Sequence, residues 1–294
     1  MRIRITTSDL VDLHTHSVAN DGRWRPDTLA AAAAEADIKV VALTDHDTVA
    51  GVADFVSAAE AAGIWALPGV EVNSWWRDDI YHVLLYGVDV GHPVLVDLMT
   101  SLWEQTLGAA ARGRDELRRL GYGLPQLEEL TGGREPLPYH ILVAALRSGL
   151  GANFEEVVRF VVSELGVSLA AGVDMATVVR AAHAAGGVAI LAHPGRAEFG
   201  FQQADPPTAK RMVLETGLDG LEVYHWSHGP SEVAAYDRLA SEMGLLISCG
   251  SDSHGPQSAR RLRGWEAGLC RALLERCGVQ IAEVSGARAR GNRR

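Results

Sequence analysis

The sequence predicts an α/β fold in which parallel strands are joined by crossover helices and gathered into a barrel, with one helical insertion. Three features predict it. Short apolar runs alternate with alanine-rich stretches of high helix propensity. Glycines follow those stretches, where a residue free to turn left-handed can end a helix. The block 92–172 breaks the alternation, carrying helix-like stretches and no convincing strand.

In chain order, the runs Leu10–His14, Val40–Thr44, Trp65–Val72, His82–Gly87, Val188–Ala192, Gly220–Tyr224 and Leu245–Cys249 read as strands. Between the first two, Pro26–Ala36 places a proline at the opening turn, where its missing N–H costs nothing, and an alanine run follows. The stretches Val52–Ala62, Met175–Ala185 and Ser231–Met243 read as helices closed by Gly63, Gly186 and Gly244. Within the insertion, Val94–Leu107, Ala109–Leu120, His140–Arg147 and Phe154–Leu165 read as helices. The resulting division is a barrel of residues 1–91 and 173–285, a helical cap of 92–172, and a frayed basic tail of 286–294.

The 294 residues carry a formal net charge of -10, which opposes nonspecific attachment to nucleic acid or to an anionic membrane. Cys249, Cys270 and Cys277 form no C-x-x-C pair and suit a reducing compartment. The N-terminus lacks an apolar signal core, so a cytoplasmic protein without a membrane partner is expected.

Chemistry gathers where strands end. His14 and His16 are two apart, so on a strand they share a face and both imidazoles can meet one ion. Asp21 follows in the loop, His46 ends the second strand, Glu71 the third, His82 opens the fourth, His193 ends the fifth, and Asp252 and His254 follow the seventh. Strand ends of a parallel barrel share one mouth. His82 fits poorly, because it begins its run, which points to a misplaced boundary or an antiparallel strand. These nine groups exceed what one tetrahedral zinc can use and suit three divalent ions sharing carboxylates, with Glu71 as the expected bridge. Imidazole and carboxylate without thiolate suit Mn²⁺, Zn²⁺ or Fe²⁺.

Other residues have weaker claims. His225 and His228 follow the sixth strand and face the mouth, where either could touch substrate or relay a proton, while His140 could reach down from the cap. His92 and His183 read as peripheral. Arg196, after His193, has the planar fork that suits phosphate. Arg23, Arg25 and Arg134 add basic groups, and Trp75 and Trp76 could stack a base or bury against the cap.

The motifs His14-Thr15-His16, Thr44-Asp45-His46-Asp47, Gly69-Val70-Glu71, His193-Pro194-Gly195-Arg196 and Gly250-Ser251-Asp252-Ser253-His254 resemble those of the PHP (polymerase and histidinol phosphatase) family. Their order and the insertion are most similar to the branch of 3',5'-nucleotide bisphosphate phosphatases and 5'-3' exoribonucleases. The resemblance implies a distorted (β/α)₇ barrel with a trinuclear metal centre. It implies that His14, His16, Glu71 and Asp252 hold one ion, that Glu71, His82 and His193 hold a second, and that Asp21, His46 and His254 hold a third. This sequence departs from the branch in the insertion, where Pro138 and Val143 stand at positions of an arginine pair flanking His140.

The expected activity is hydrolysis of a small phosphate monoester by a metal-bridging hydroxide, with Arg196 as clamp and Arg134, His140 and Arg23 as further substrate contacts. The leaving oxygen would take its proton from His225, His228, Asp47 or a metal-bound water. The alternative is a phosphodiesterase or 5'-3' exonuclease, disfavoured by the acidic chain and by the lack of an aromatic and basic strip for stacked bases. Hydrolysis of a C–N bond would call for an eighth strand and a strand-end lysine, and a metal-stabilised binding module would not need so complete a ligand set.

Overall fold

A computed structural model describes residues 4–196, 202–257 and 260–283. All seven runs are strands: β1 (Leu10–Thr15), β2 (Ile38–Leu43), β3 (Trp65–Trp76), β4 (Asp79–Tyr86), β5 (Val188–Leu191), β6 (Gly220–His225) and β7 (Leu246–Gly250). They follow one another round a single, nearly closed sheet in sequence order. The short pieces Trp265–Glu266 and Val173–Asp174 pair outside β1 and beside β3.

The sheet corrects the all-parallel expectation. β1–β2–β3 and β5–β6–β7 are parallel, whereas β4 is antiparallel to both β3 and β5. The reason is the reach of the chain. β3 does not stop at Val72 but runs to Trp76, and only Arg77 and Asp78 separate it from β4. A parallel return needs a crossover of about a dozen residues, while two residues suffice for a hairpin. Arg77 supplies the tight turn at φ 58°. An antiparallel strand offers its first residues at the face where its neighbours offer their last, so His82 belongs at the mouth.

Side-chain alternation separates the barrel interior from its helical coat. On β2, Val40 and Ala42 pack with Leu67, Leu84, Tyr86 and Ile190 inside, while Val41 and Leu43 face α1 (Pro26–Glu35) and α2 (Val52–Ala62). On β4, Tyr81, Val83 and Leu85 join the outer core with α3 (Pro93–Arg119), leaving His82 on the inward face with Leu84 and Tyr86. Tyr86 spans the interior, donating to Leu13 O at 2.7 Å and meeting Ser248 Oγ at 3.0 Å.

The insertion holds α3, the short helix Leu127–Thr131, α4 (Pro138–Arg147) and a last helix from Phe154 that loosens into a π-turn over Arg159–Glu164. The stretches Val94–Leu107 and Ala109–Leu120, read as two helices, form one, because α3 runs unbroken through Gly108 from Pro93 to Arg119. One glycine costs about 1 kcal/mol, less than the burial of Leu95, Leu98, Leu102, Ala109 and Leu117 along one face returns. The remaining major helices are α5 (Met175–Ala184), α6 (Pro206–Thr216), not anticipated from sequence, and α7 (Pro230–Met243). The tail 286–294 lies outside the described residues.

The sheet closes where β7 meets β1. His16 N donates to Ser253 O at 3.0 Å, and Thr15 bridges to Ser253. That approach demands glycine at 250, since a Cβ there would lie 2.1 Å from His14 Cβ and 2.7 Å from Glu222 Oε1. Neither neighbour can retreat within a packed interior. Gly250→Ala should therefore cost about 1–3 kcal/mol in urea denaturation; an unchanged midpoint would mean that the closure is looser than described.

Candidate metal centre

The nine side chains singled out from sequence converge at one mouth. Glu71 lies at their middle, fully buried on the inward face of β3. Its Oε1 is 2.9 Å from His82 Nδ1 and 3.0 Å from His193 Nε2. Its Oε2 is 3.0 Å from His14 Nε2, 3.3 Å from His16 Nε2 and 3.4 Å from His46 Nε2. The hairpin register sets the first of these contacts, because Glu71 pairs with Leu84 and His82 is its diagonal neighbour on the same face.

Asp252 has a similar double role. Its Oδ1 lies 3.2 Å from His16 Nε2 and 3.3 Å from His254 Nδ1, while its Oδ2 takes a hydrogen bond from Arg196 Nη1 and one of 2.7 Å from Arg260 Nη1. Asp21 completes the outer edge, with Oδ2 3.2 Å from His254 Nε2. His193 and Asp252 hold φ at 25° and 49°, a left-handed backbone that aims both side chains inward at some cost in strain.

Burial alone would push the Glu71 carboxyl up, but His46, His14 and His82 outweigh it and hold it well below its usual range. Asp252 is likewise lowered against its burial, by His254, His16 and His225. The imidazoles divide. Burial would lower both His14 and His16, yet their carboxylate neighbours hold His14 well above the usual value and His16 up to about 10. Burial carries His46 and His193 down to about 3.

The remaining candidates are placed as follows. His225 is buried, with Nδ1 2.7 Å from Ser227 Oγ and Nε2 3.7 Å from Asp252 Oδ2. His228 has both nitrogens engaged, Nδ1 donating to Val223 O at 2.9 Å and Nε2 accepting Gly195 N–H at 3.0 Å, so the ring pins the mouth loop. Both oxygens of Asp47 accept from Asn73, at 2.8 and 2.6 Å. In the insertion, His140 Nδ1 accepts Leu137 N–H at 3.0 Å, which leaves the proton of the neutral ring on Nε2. Burial and the Arg134 charge lower its pKa, and Asp21 is near enough to oppose them. Arg134 and Arg23 are exposed, and Arg25 pairs with Asp27. Trp76 is buried and donates to Glu215 Oε2 at 3.0 Å, serving the core in place of stacking.

A family model described as PHP domain matches residues 12–135. A phosphoribosyl 1,2-cyclic phosphate 1,2-diphosphodiesterase from Eggerthella lenta is 31% identical over 252 residues, covering 83% of this chain and 94% of its own. The chain belongs to the PHP family. Other PHP relatives include a 5'-3' exoribonuclease from Salmonella typhimurium, 29% identical over 84% of this chain and 86% of its own, and a 3',5'-nucleoside bisphosphate phosphatase from Chromobacterium violaceum, 29% identical over 85% and 89%. A Bifidobacterium adolescentis crystal structure, of a candidate metal-dependent phosphoesterase, superposes with a TM-score of 0.75 at 26% identity, covering 94% of this chain and 98% of that one. As a PHP phosphoesterase the chain is a metal-dependent hydrolase. No helix among the described residues is long and apolar enough to cross a membrane.

The PHP site has the donors a metal would use. Among the described residues, neither ring nitrogen of buried His16 has a hydrogen-bond partner, nor do His46 Nδ1 and Asp21 Oδ1. Leaving buried polar atoms unbonded costs about 1–3 kcal/mol each, so this arrangement is built for something other than hydrogen bonding. Four close groupings of competent donors are drawn wholly from the nine: His16, Asp21, His46 and His254; His14, His16 and Asp252; His14, Glu71 and His193; and His46, Glu71 and His82.

Sequence reading missed two residues. Arg260 comes from a basic loop with no pattern to single it out. Glu222 had a signal: Leu221 and Val223 on β6 face the outer core, so the carboxylate between them must point into the barrel. Because the neighbouring carboxylates favour protons on His14 and His16 and a metal takes only an unprotonated ring nitrogen, a metal held by these rings would expel protons. Mn²⁺ affinity should rise about tenfold per pH unit for each proton expelled, between about pH 6 and about pH 8. Calorimetric titrations in buffers of different ionisation enthalpy measure this, and a pH-independent affinity with no proton release would refute the charge states assigned here.

Proposed function

We propose that this PHP chain is a phosphatase of small phosphate monoesters whose site holds three divalent ions, Mn²⁺, Zn²⁺ or Fe²⁺. The observation that carries this reading is Glu71, whose two oxygens face separate sets of imidazoles as a bridging carboxylate would. In the assignment we favour, His14, His16, Glu71 and Asp252 serve one ion, Glu71, His82 and His193 a second, and Asp21, His46 and His254 a third. When bound, such ions acidify a water and neutralise the nonbridging oxygens of phosphate.

The chain's own residues supply recognition and proton traffic. Arg196 is mostly buried against Asp252 and offers its fork toward the mouth as a clamp for the phosphoryl group. Of His225 and His228, His225 is the better placed to pass a proton, since both nitrogens of His228 are occupied. His140, with its proton on Nε2 and Asp21 close by, supports reading 92–172 as a cap over the barrel mouth. Arg134 and Arg23 would contact the substrate's outer, solvated end. The formal charge of -10 and the burial of Trp76 argue against a long nucleic-acid track. A second reading, release of nucleotides from RNA ends, is favoured by the exoribonuclease relative.

The metal-loaded enzyme should be assayed on nucleoside bisphosphates, sugar phosphates, cyclic phosphate diesters and a 5'-phosphorylated oligoribonucleotide. Phosphate release from at least one monoester, with kcat/KM about tenfold or more above that for nucleotide release, is the expected result. Turnover of the oligoribonucleotide alone would overturn it in favour of the second reading. Glu71→Gln should lower kcat on the best substrate by at least about 100-fold, because it removes a charge from the proposed bridge.

A further inference from the structure

β6 supplies none of the nine expected ligands, yet it carries a carboxylate in the heart of the site. Glu222 is fully buried on the inward face. Its Oε1 lies 3.0 Å from His14 Nδ1, and its Oε2 accepts the His193 backbone N–H at 2.7 Å. Gly250 leaves room for it, since a Cβ at 250 would press on both Glu222 Oε1 and His14. We propose that Glu222 is a positioning residue of the metal centre, fixing the proton of His14 on Nδ1 so that Nε2 faces the ions, and anchoring the backbone that aims His193.

Each end of this carboxylate has its own geometric reason. A neutral imidazole carries one proton. With Nδ1 donating to Glu222, Nε2 is the nitrogen that would give up its proton to an ion, and it faces Glu71 Oε2 at 3.0 Å and Asp252 Oδ1 at 3.8 Å, the side on which a metal would be held. A carboxylate on the far nitrogen also makes the ring a stronger donor to metal. At the other end, His193 has φ 25°. The bond from its N–H to Oε2 helps hold this strained backbone, which places Nε2 3.0 Å from Glu71 Oε1. The loop after β6 grips the same segment again two residues on, through Gly195 N–H and His228.

A competing role is direct ligation, since His14, Glu222 and His225 also lie close enough to surround an ion. That ion would need His14 Nδ1, the nitrogen already bonded to Glu222. His14 would then have to be stripped of its ring proton and shared between two cations. Positioning requires neither.

The assignment rests on the proposed metal centre, so the test reads metal rather than turnover. Mn²⁺ affinity and stoichiometry would be measured for wild type, Glu222→Gln and Glu222→Asp, beside melting temperatures without metal. The amide in Glu222→Gln can accept from only one of the two N–H groups and turns a donor toward the other. It should bind the same number of ions about 10–100-fold more weakly, and Glu222→Asp should restore part of the loss. Histidine ¹⁵N shifts in the metal-loaded wild type should show His14 protonated at Nδ1, a readout available even if a variant fails to fold.

Unchanged affinity in a folded Glu222→Gln protein would overturn the proposal, as would a His14 proton on Nε2. Loss of one ion from the stoichiometry would make Glu222 a ligand and likewise overturn it. Wild-type protein that binds no divalent ion would overturn the metal centre itself, and this assignment with it.

Discussion

The site depends on one buried carboxylate meeting five imidazoles. Glu71 brings a negative charge into a barrel floored by Leu67, Leu84, Tyr86 and Ile190, where an unpaired charge would be prohibitively costly. Histidines from β1, β4 and the loops after β1, β2 and β5 surround it. Without metal, protons on His14 and His16 would provide compensation, and the carboxylates accordingly push the pKa of both rings up. Cations in their place would keep the same carboxylates satisfied while presenting positive charge to a phosphate. Stability and metal dependence therefore draw on the same few contacts.

This arrangement explains the reversed strand. With β4 parallel to its neighbours, His82 would lie at the far end of the barrel from Glu71. The Arg77–Asp78 turn brings it back, and the hairpin register sets the distance more tightly than a loop could. Beyond the sheet, Asp252 shows how the mouth is layered. One oxygen faces His16 and His254, and the other holds Arg196 and Arg260, so the proposed metal ligands and the arginines of the mouth share one residue. A change in either layer should be felt in the other. The PHP relatives differ in whether their substrates are cyclic diesters, bisphosphates or RNA ends. Such differences are more readily made in the mouth loops and the insertion than in the ring of inward-facing strand residues.

Much of this was legible in the order of residues alone. Seven apolar runs named the seven strands, Gly63 and Gly244 ended α2 and α7 in left-handed turns, and metal-capable residues marked strand ends. These are local properties, set by side-chain alternation and backbone freedom over a few residues. The direction of β4 was less legible because β3 outlasts its obvious apolar run by four residues, Asn73 to Trp76. The true connection, and therefore the obligatory hairpin, lay hidden in a polar and aromatic stretch.

Glu222, Arg260 and the role of His228 depended on partners far along the chain. A carboxylate on β6 says little until His14, 208 positions away, is seen 3.0 Å from it. His228 looked like a proton relay until Gly195 and Val223 were found to occupy both its nitrogens. Residue type and spacing determined which groups could bind metal and which end of each strand would carry them. Tertiary structure alone decided which atom of each group faces which neighbour, because hydrogen bonding and charge act across space while sequence records only distance along the chain.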